Sequence, residues 1–369
     1  MDFYYEFPAV KGIQAKHEYY ISMVPLKYLL KLFPNDNDIV LPEFRAQRRI
    51  NEARIPEIRN YILDNRESYV FSALSASIDG EFTFVENEVS NLGILKIDMG
   101  AKFLINDGQH RKAAIEEAIR EDQSLKDETI SIVFFRDEGL KRSQQMFTDL
   151  NKHAVKTSNS LSTLYDSRDE LAVATKNVIK NVEFLKNYTD LERDILGKNS
   201  SKLFTLNTIY KANYRIIGEK QCENKDIEFL ISYWDILTKN IVEWNELINK
   251  EITKKDLKEN YILTLAVMMN AFGRLGRYFY ENNNVDMEMY LSKLSSVNWL
   301  RINEADWQNR VIRDDGKIIN NEKAVILACS KIKTLIGIEL SREEKSKEQL
   351  MQGEYKWFTE VNLTNLIKL

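Results

Sequence analysis

The chain has 369 residues, 44% of them hydrophobic, enough for an ample core and, by length, for two domains. Only 13 glycines and 5 prolines punctuate it, which favours long helices over turn-rich β structure. A formal net charge of −4 excludes a protein that coats nucleic acid over its whole surface, and two distant cysteines, Cys222 and Cys329, exclude a disulfide scaffold and a zinc finger and fit a reducing cytoplasm.

The opening MDFYYEFPAV carries acids and aromatics where a signal peptide has a basic start and an apolar run, so no export signal is expected. YYISMV (19–24) is β-rich, PLKYLLKLF (25–33) has helical spacing, and a further helix is predicted over 51–65. VFSALSASI (70–78) and FTFVE read as strands, and GILKIDM with KFLIND flank a Met-Gly-Ala turn that predicts a hairpin. LINDGQHRKAAIEEAI (104–119) then passes from strand to helix, and TISIVFF (129–135) adds another strand. From Leu140 onward strand signals nearly vanish, and amphipathic helices follow one another around SLSTLYDS, ELAVATKNVIKNVEFL, TLNTIYKANYRII and IEFLISYWDILTKNIVEWNELI. The most apolar window, 261–280, is as long as a membrane span, but Asn270, Arg274 and Arg277 within it predict a buried helix and no membrane contact. The class is therefore α+β: a mixed-sheet domain over 1–155, then a mainly α-helical domain over 156–369.

Three polar stretches carry candidate chemistry. In the first, Asn106 or Asp107 can cap the helix, Gly108 lets another group approach the backbone, and His110 and Arg111 fall in the first turn. Free amides, a helix dipole and a guanidinium together suit a phosphate; helix capping with an exposed His and Arg is the competing reading. The second is FTDLNKHAVKTSNSL (147–161), with Asp149, Asn151, Lys152, His153 and Lys156, which the helix after the 129–135 strand would bring near Asp107 if that strand lay beside the one ending at 106. A solvated helix end is the alternative. The third, FRAQRRINEARIPEIRNYI (44–62), holds Arg45, Arg48, Arg49, Arg54 and Arg59, whose forks suit phosphates and guanine edges, although Glu52 and Glu57 also fit surface ion pairing. Residues 141–220 carry 14 Lys and Arg against 9 acids, so this third of the chain is the basic part. The segment around Trp307, Arg310 and Arg313 reads as a packing corner, with a second polar contact as the alternative. No paired carboxylates, P-loop, serine elbow or metal-ligand spacing occurs, so no metal site is expected.

Asp107-Gly108-Gln109-His110-Arg111 matches the signature of the DGQHR-motif proteins, and the chain resembles the DndB-like members associated with DNA phosphorothioation. QRR at 47–49, FTDLNKHA at 147–154, the Trp307–Arg310 segment and KIINNEKAVILACSKIKTLIG resemble that family in order and spacing, so the resemblance covers most of the chain. It implies a ParB/sulfiredoxin-like fold in the N-terminal part, DNA binding and transcriptional control, as a repressor, of modification genes. ParB-like proteins often show Glu-Arg where this chain has Gln109-His110, so their nucleotide chemistry does not transfer residue for residue.

The first expectation is a cytoplasmic, double-stranded-DNA-binding regulator, with Arg45, Arg48, Arg49, Lys152 and Lys156 on DNA and the phosphorothioation proteins as further partners. In the second, a nucleoside triphosphate with Mg is hydrolysed: Asp107, His110 and Arg111 are catalytic, and Gly108, Gln109, Arg111, Asn151, Lys152 and His153 hold phosphate. A non-enzymatic subunit of the modification complex is the third.

Overall fold

Period-two alternation in its first seven residues opens the fold: β1 (Tyr4–Gln14) turns Phe7 and Ala9 inward and Glu6, Pro8 and Val10 outward. The computed structural model describes residues 3–34, 50–152 and 157–351. Two compact units divide the chain, Met1–Val155 and Lys156–Leu369.

In the first unit β1 is followed by β2 (His17–Pro25), α1 (Leu29–Leu32), α2 (Ile55–Asp64), β3 (Leu74–Asp79), β4 (Phe82–Glu86), β5 (Leu92–Asp98), β6 (Lys102–Asp107), α3 (Gln109–Glu121), β7 (Thr129–Arg136) and α4 (Leu140–Lys152). Seven strands form one sheet in the order β4-β5-β1-β2-β7-β3-β6, antiparallel except for the β3/β7 pair, so the sheet is mixed. Phe7, Tyr20, Leu95, Ile97, Ile132 and Phe134 point to one core with Leu29, Ile62, Ile115 and Ile119 from the helices. Phe134 stacks on Phe7 at 6.3 Å and meets Phe103 at 6.1 Å.

The predicted hairpin does not form. β5 pairs with β1 and β4, and β6 pairs with β3 at the far end of the order. The same holds for β3 and β4, which two residues join although they lie at opposite ends. A flat sheet would place such strands more than about 20 Å apart at roughly 4.8 Å per step, beyond what two or three residues span. The sheet is consequently curled, and its rims meet near Gly80, where an added Cβ would lie 2.7 Å from the Ala101 side chain.

The second unit is helical: α5 (Asn159–Tyr165), α6 (Glu170–Asn181), α7 (Glu183–Tyr188), α8 (Leu206–Ile217), α9 (Asn224–Lys239), α10 (Val242–Ile248), α11 (Lys254–Asn260), α12 (Ala266–Glu281), α13 (Met287–Leu291), α14 (Glu304–Trp307) and α15 (Glu322–Ile336). A two-residue parallel pair, β8 (Thr189–Asp190) with β9 (Phe204–Thr205), interrupts it. Asp169, Thr205 and Asn321 cap α6, α8 and α15 by accepting backbone N–H bonds. The helix predicted through 185 is split at Val182, whose extended backbone ends α6 and starts α7. Trp234, Trp244, Trp299 and Trp307 are fully buried, and Trp299 stacks on Trp307 at 5.4 Å, so the Trp307 segment is a packing corner. The apolar 261–280 window becomes α12, whose Met268, Met269, Phe272 and Leu275 are buried, and among the described residues no helix is long and apolar enough to cross a membrane.

Candidate functional site

β6 hands over to α3 at Asp107-Gly108. Gly108 is the residue before the helix, with φ +102°, a left-handed conformation that disfavours any side chain. A Cβ there would sit 2.3 Å from Leu74 Cδ2 and 3.3 Å from the Arg111 guanidinium carbon. The close approach that the glycine permits is thus made by Leu74 and Arg111 of the same chain.

Arg111 is held by oxygens of its own chain. Its Nη1 donates to Ser72 O at 2.6 Å, Ser72 Oγ at 2.6 Å and Ala73 O at 2.9 Å, and its Nη2 donates to Asp107 Oδ2 at 2.6 Å. The guanidinium ties the start of β3 to the end of β6 and braces the turn between strand and helix. No side chain caps α3, contrary to the expectation for Asn106 or Asp107. The reason is competition: Asp107 faces Arg111, and Asn106 is fully buried, donating from Nδ2 to Ser77 Oγ at 2.8 Å and contacting Met146 Sδ.

His110 projects elsewhere. Its Nε2 accepts the Asn51 backbone N–H at 2.9 Å, joining the segment that enters α2 to the first turn of α3. Behind it Lys112 and Glu116, one turn apart and both buried, form an ion pair at 2.5 Å that fixes the inner face of α3. Neither this pair nor Ser72, Ser77, Asn51 or Met146 was marked by the sequence; the one available hint was that Lys112 and Glu116 interrupt the apolar face of α3 at helical spacing.

The β7 strand is not beside β6, as supposed for the second cluster: β3 lies between them. Even so, α4 packs against β6 through Met146, next to Asn106. Asp149 accepts from Gln145 Nε2 on the same helix, Asn151 is in its last turn, and Lys152 is exposed at its end. Arg45, Arg48, Arg49, His153 and Lys156 lie outside the described residues. Of the remaining arginines, Arg59 pairs with Glu121 at 3.1 Å, whereas Arg54 is exposed with no ion-pair partner among the described residues. Gln109 Nε2 and Asn106 Oδ1, on either side of Gly108, are buried with no hydrogen-bond partner there.

The family model of DndB, described as DNA-sulfur modification-associated, matches residues 7–339, which spans both units and every residue of the motif. The chain belongs to the DndB family. No curated protein and no solved structure matches it. Its place among the DndB-family proteins associates it with DNA phosphorothioation and gives the braced turn at Asp107–Arg111 a setting.

Proposed function

We propose that this DndB-family chain is a DNA-binding regulator that represses DNA phosphorothioate modification genes, with double-stranded DNA as its main partner and the modification proteins as further ones. The observation that carries this reading is the bond from the Asn51 N–H to His110 Nε2. It anchors, onto the first turn of the motif helix, the chain that leaves the arginine-rich stretch two residues after Arg49. Arg54, exposed without an ion partner among the described residues, adds a cation three residues after that anchor. Arginines at such a place serve phosphate contacts, and the net charge of −4 means that binding depends on this local supply.

Labelled promoter duplex should be retained in gel shift, with log affinity falling linearly against log salt. Arg48→Ala with Arg49→Ala should weaken retention about tenfold or more while the melting temperature stays put. Duplex that is never retained, or retained equally by the double variant, would remove the reading.

The buried, unpartnered Gln109 Nε2 and Asn106 Oδ1 favour a second reading, in which the motif holds a nucleoside triphosphate with Mg and hydrolyses it. Asp107, His110 and Arg111 would then act in the reaction, and Gly108, Gln109, Asn151, Lys152 and His153 would hold phosphate. Phosphate release equal to buffer, with and without DNA, counts against it.

A further inference from the structure

In the helical unit α8 and α12 cross at backbone contact. A Cβ added to Gly273 would fall 2.6 Å from Ala212 O, and one on Gly276 would fall 2.9 Å from Ile216 Cδ1. Because the two helices touch there, their polar faces meet edge to edge. Tyr210, Lys211, Tyr214 and Arg215 recur at helical spacing on α8, as do Asn270, Arg274, Arg277 and Tyr278 on α12. Between them opens a cavity of about 910 Å³, and a smaller one of about 250 Å³ shares Lys211, Arg215 and Asn270 with it. The larger volume is of the size that takes a small organic ligand.

The lining is cationic. Lys211, Arg215, Lys220, Arg274, Arg277 and Lys333 face two carboxylates, Glu281 and Glu344, in a chain whose net charge is negative. Most of these cations are already fixed by their own chain. Arg215 makes a two-pronged bond to Glu322 at 2.8 and 2.7 Å and a third to Asn270, and Arg277 bonds Glu281 and the last carbonyls of α8. Lys333 and Glu344 are buried as a pair at 2.8 Å, with the Lys333 ammonium 5.0 Å from the Tyr278 ring centre. Burial pushes the Glu344 carboxyl up, but bonds from Lys333 and the Ser341 N–H outweigh it and hold the group below its ordinary range. Buried ion pairs stabilise a fold weakly, so a rigid charged base is better explained by what it faces. Two groups one turn apart remain uncommitted among the described residues: Lys211, exposed and unpaired, lines both cavities, and Tyr214, also exposed, has neither a bonded hydroxyl nor a stacked ring partner.

We propose that this cavity is a binding site for a nucleoside phosphate, distinct from the DGQHR turn, with Tyr214 stacking on the base and Lys211 reaching the phosphates beside the fixed Arg215. A flat ring and a compact anion are the two features that this pairing of aromatic face and cations complements. A simple oxyanion would leave Tyr214 unused, and an apolar ligand would cover the Lys211 ammonium without giving it a partner.

The test is isothermal titration of the full chain with ATP, GTP and CTP in turn, and with adenosine and inorganic tripolyphosphate as half-ligands. At least one nucleotide should bind ten times or more tightly than either half. Lys211→Glu and Tyr214→Ala, both at exposed positions and each checked for an unchanged melting temperature, should each weaken that nucleotide at least tenfold, whereas His110→Ala should not. The inference falls if no nucleotide binds, if tripolyphosphate binds as well as the nucleotides, or if His110→Ala abolishes binding that the groove variants keep. Gel shift of promoter duplex by Lys211→Glu supplies an independent readout, and parallel loss of duplex retention would show the groove to be a DNA surface and overturn a separate nucleotide site.

Discussion

Arg111 sits between a carboxylate and three oxygens from the start of β3, so its fork geometry is matched to acceptors that its own chain provides. A lysine keeps the charge but has one ammonium, and it cannot reach Asp107 and the Ser72 and Ala73 carbonyls at once. Each acceptor left short in a half-buried place costs about 1–3 kcal/mol. Arg111→Lys should therefore lower the unfolding free energy by about 2 kcal/mol, read as a shifted urea midpoint at constant slope. An unchanged midpoint would mean that the guanidinium exists chiefly for a ligand. The handover from strand to helix at Asp107-Gly108 was legible because an apolar run meets Gly and then an Ala-rich helix. Apart from Asp107, what Arg111 holds was not legible: the other partners lie 38 and 39 residues upstream, and serine and alanine carry no signature for the task.

At the scale of elements, local pattern and pairing diverge. The strands at 92–98 and 102–107 are both apolar and are joined by a short Met-Gly-Ala turn, the two features from which a hairpin is inferred. Pairing is decided by neighbours distant in sequence: β1 inserts beside β5, and β3 takes β6, so the connection turns a corner of the curled sheet. Helices fared better, since an amphipathic stripe is a local property, and the exceptions were the breaks at Val182 and at Asn240–Ile241. Packing between helices supplies a prediction of its own. Gly to Ala inside an exposed helix normally gains up to about 1 kcal/mol. Gly273→Ala in α12 should reverse the sign and cost about 2 kcal/mol, because the new Cβ meets Ala212 backbone atoms at 2.6 and 2.9 Å that cannot rotate aside. Gly197, with open space around it, gives the control substitution, which should leave the melting temperature nearly unchanged. If Gly273→Ala melts with Gly197→Ala, α8 and α12 are further apart than their contact implies.

Over the whole molecule, the two units should answer acid differently. In the helical unit Asp194 is pushed up by burial but held lower by the Asn159 and Ser160 N–H groups, and Asp306 is likewise pushed up by burial but held lower by Lys331 and Asn303. Glu344 is held low in the same manner by Lys333 and Ser341. Each has a folded-state pKa below its unfolded one, so its stabilisation is complete above the unfolded values, about 3.9 for Asp and 4.3 for Glu, and is lost as the pH falls through the folded values. Glu243, raised by burial, works the other way and offsets part of the loss. Among the described residues of the sheet unit the carboxylates held low are Asp122 and Asp127, the first through bonds to Ser124 and the second through Lys27, both near the surface where screening leaves little to lose. The tryptophans at 234, 244, 299 and 307 are buried in the second unit, and Trp357 lies outside the described residues, so the emission of the buried four reports on that unit. Between pH 5 and 3 the tryptophan melting transition should drop steeply, with a smaller drop in whatever calorimetric transition the sheet unit contributes. A tryptophan transition as high at pH 3 as at pH 5 would show that these carboxylates are no better bonded folded than unfolded, and with that the rigid charged base of the groove would lose its support.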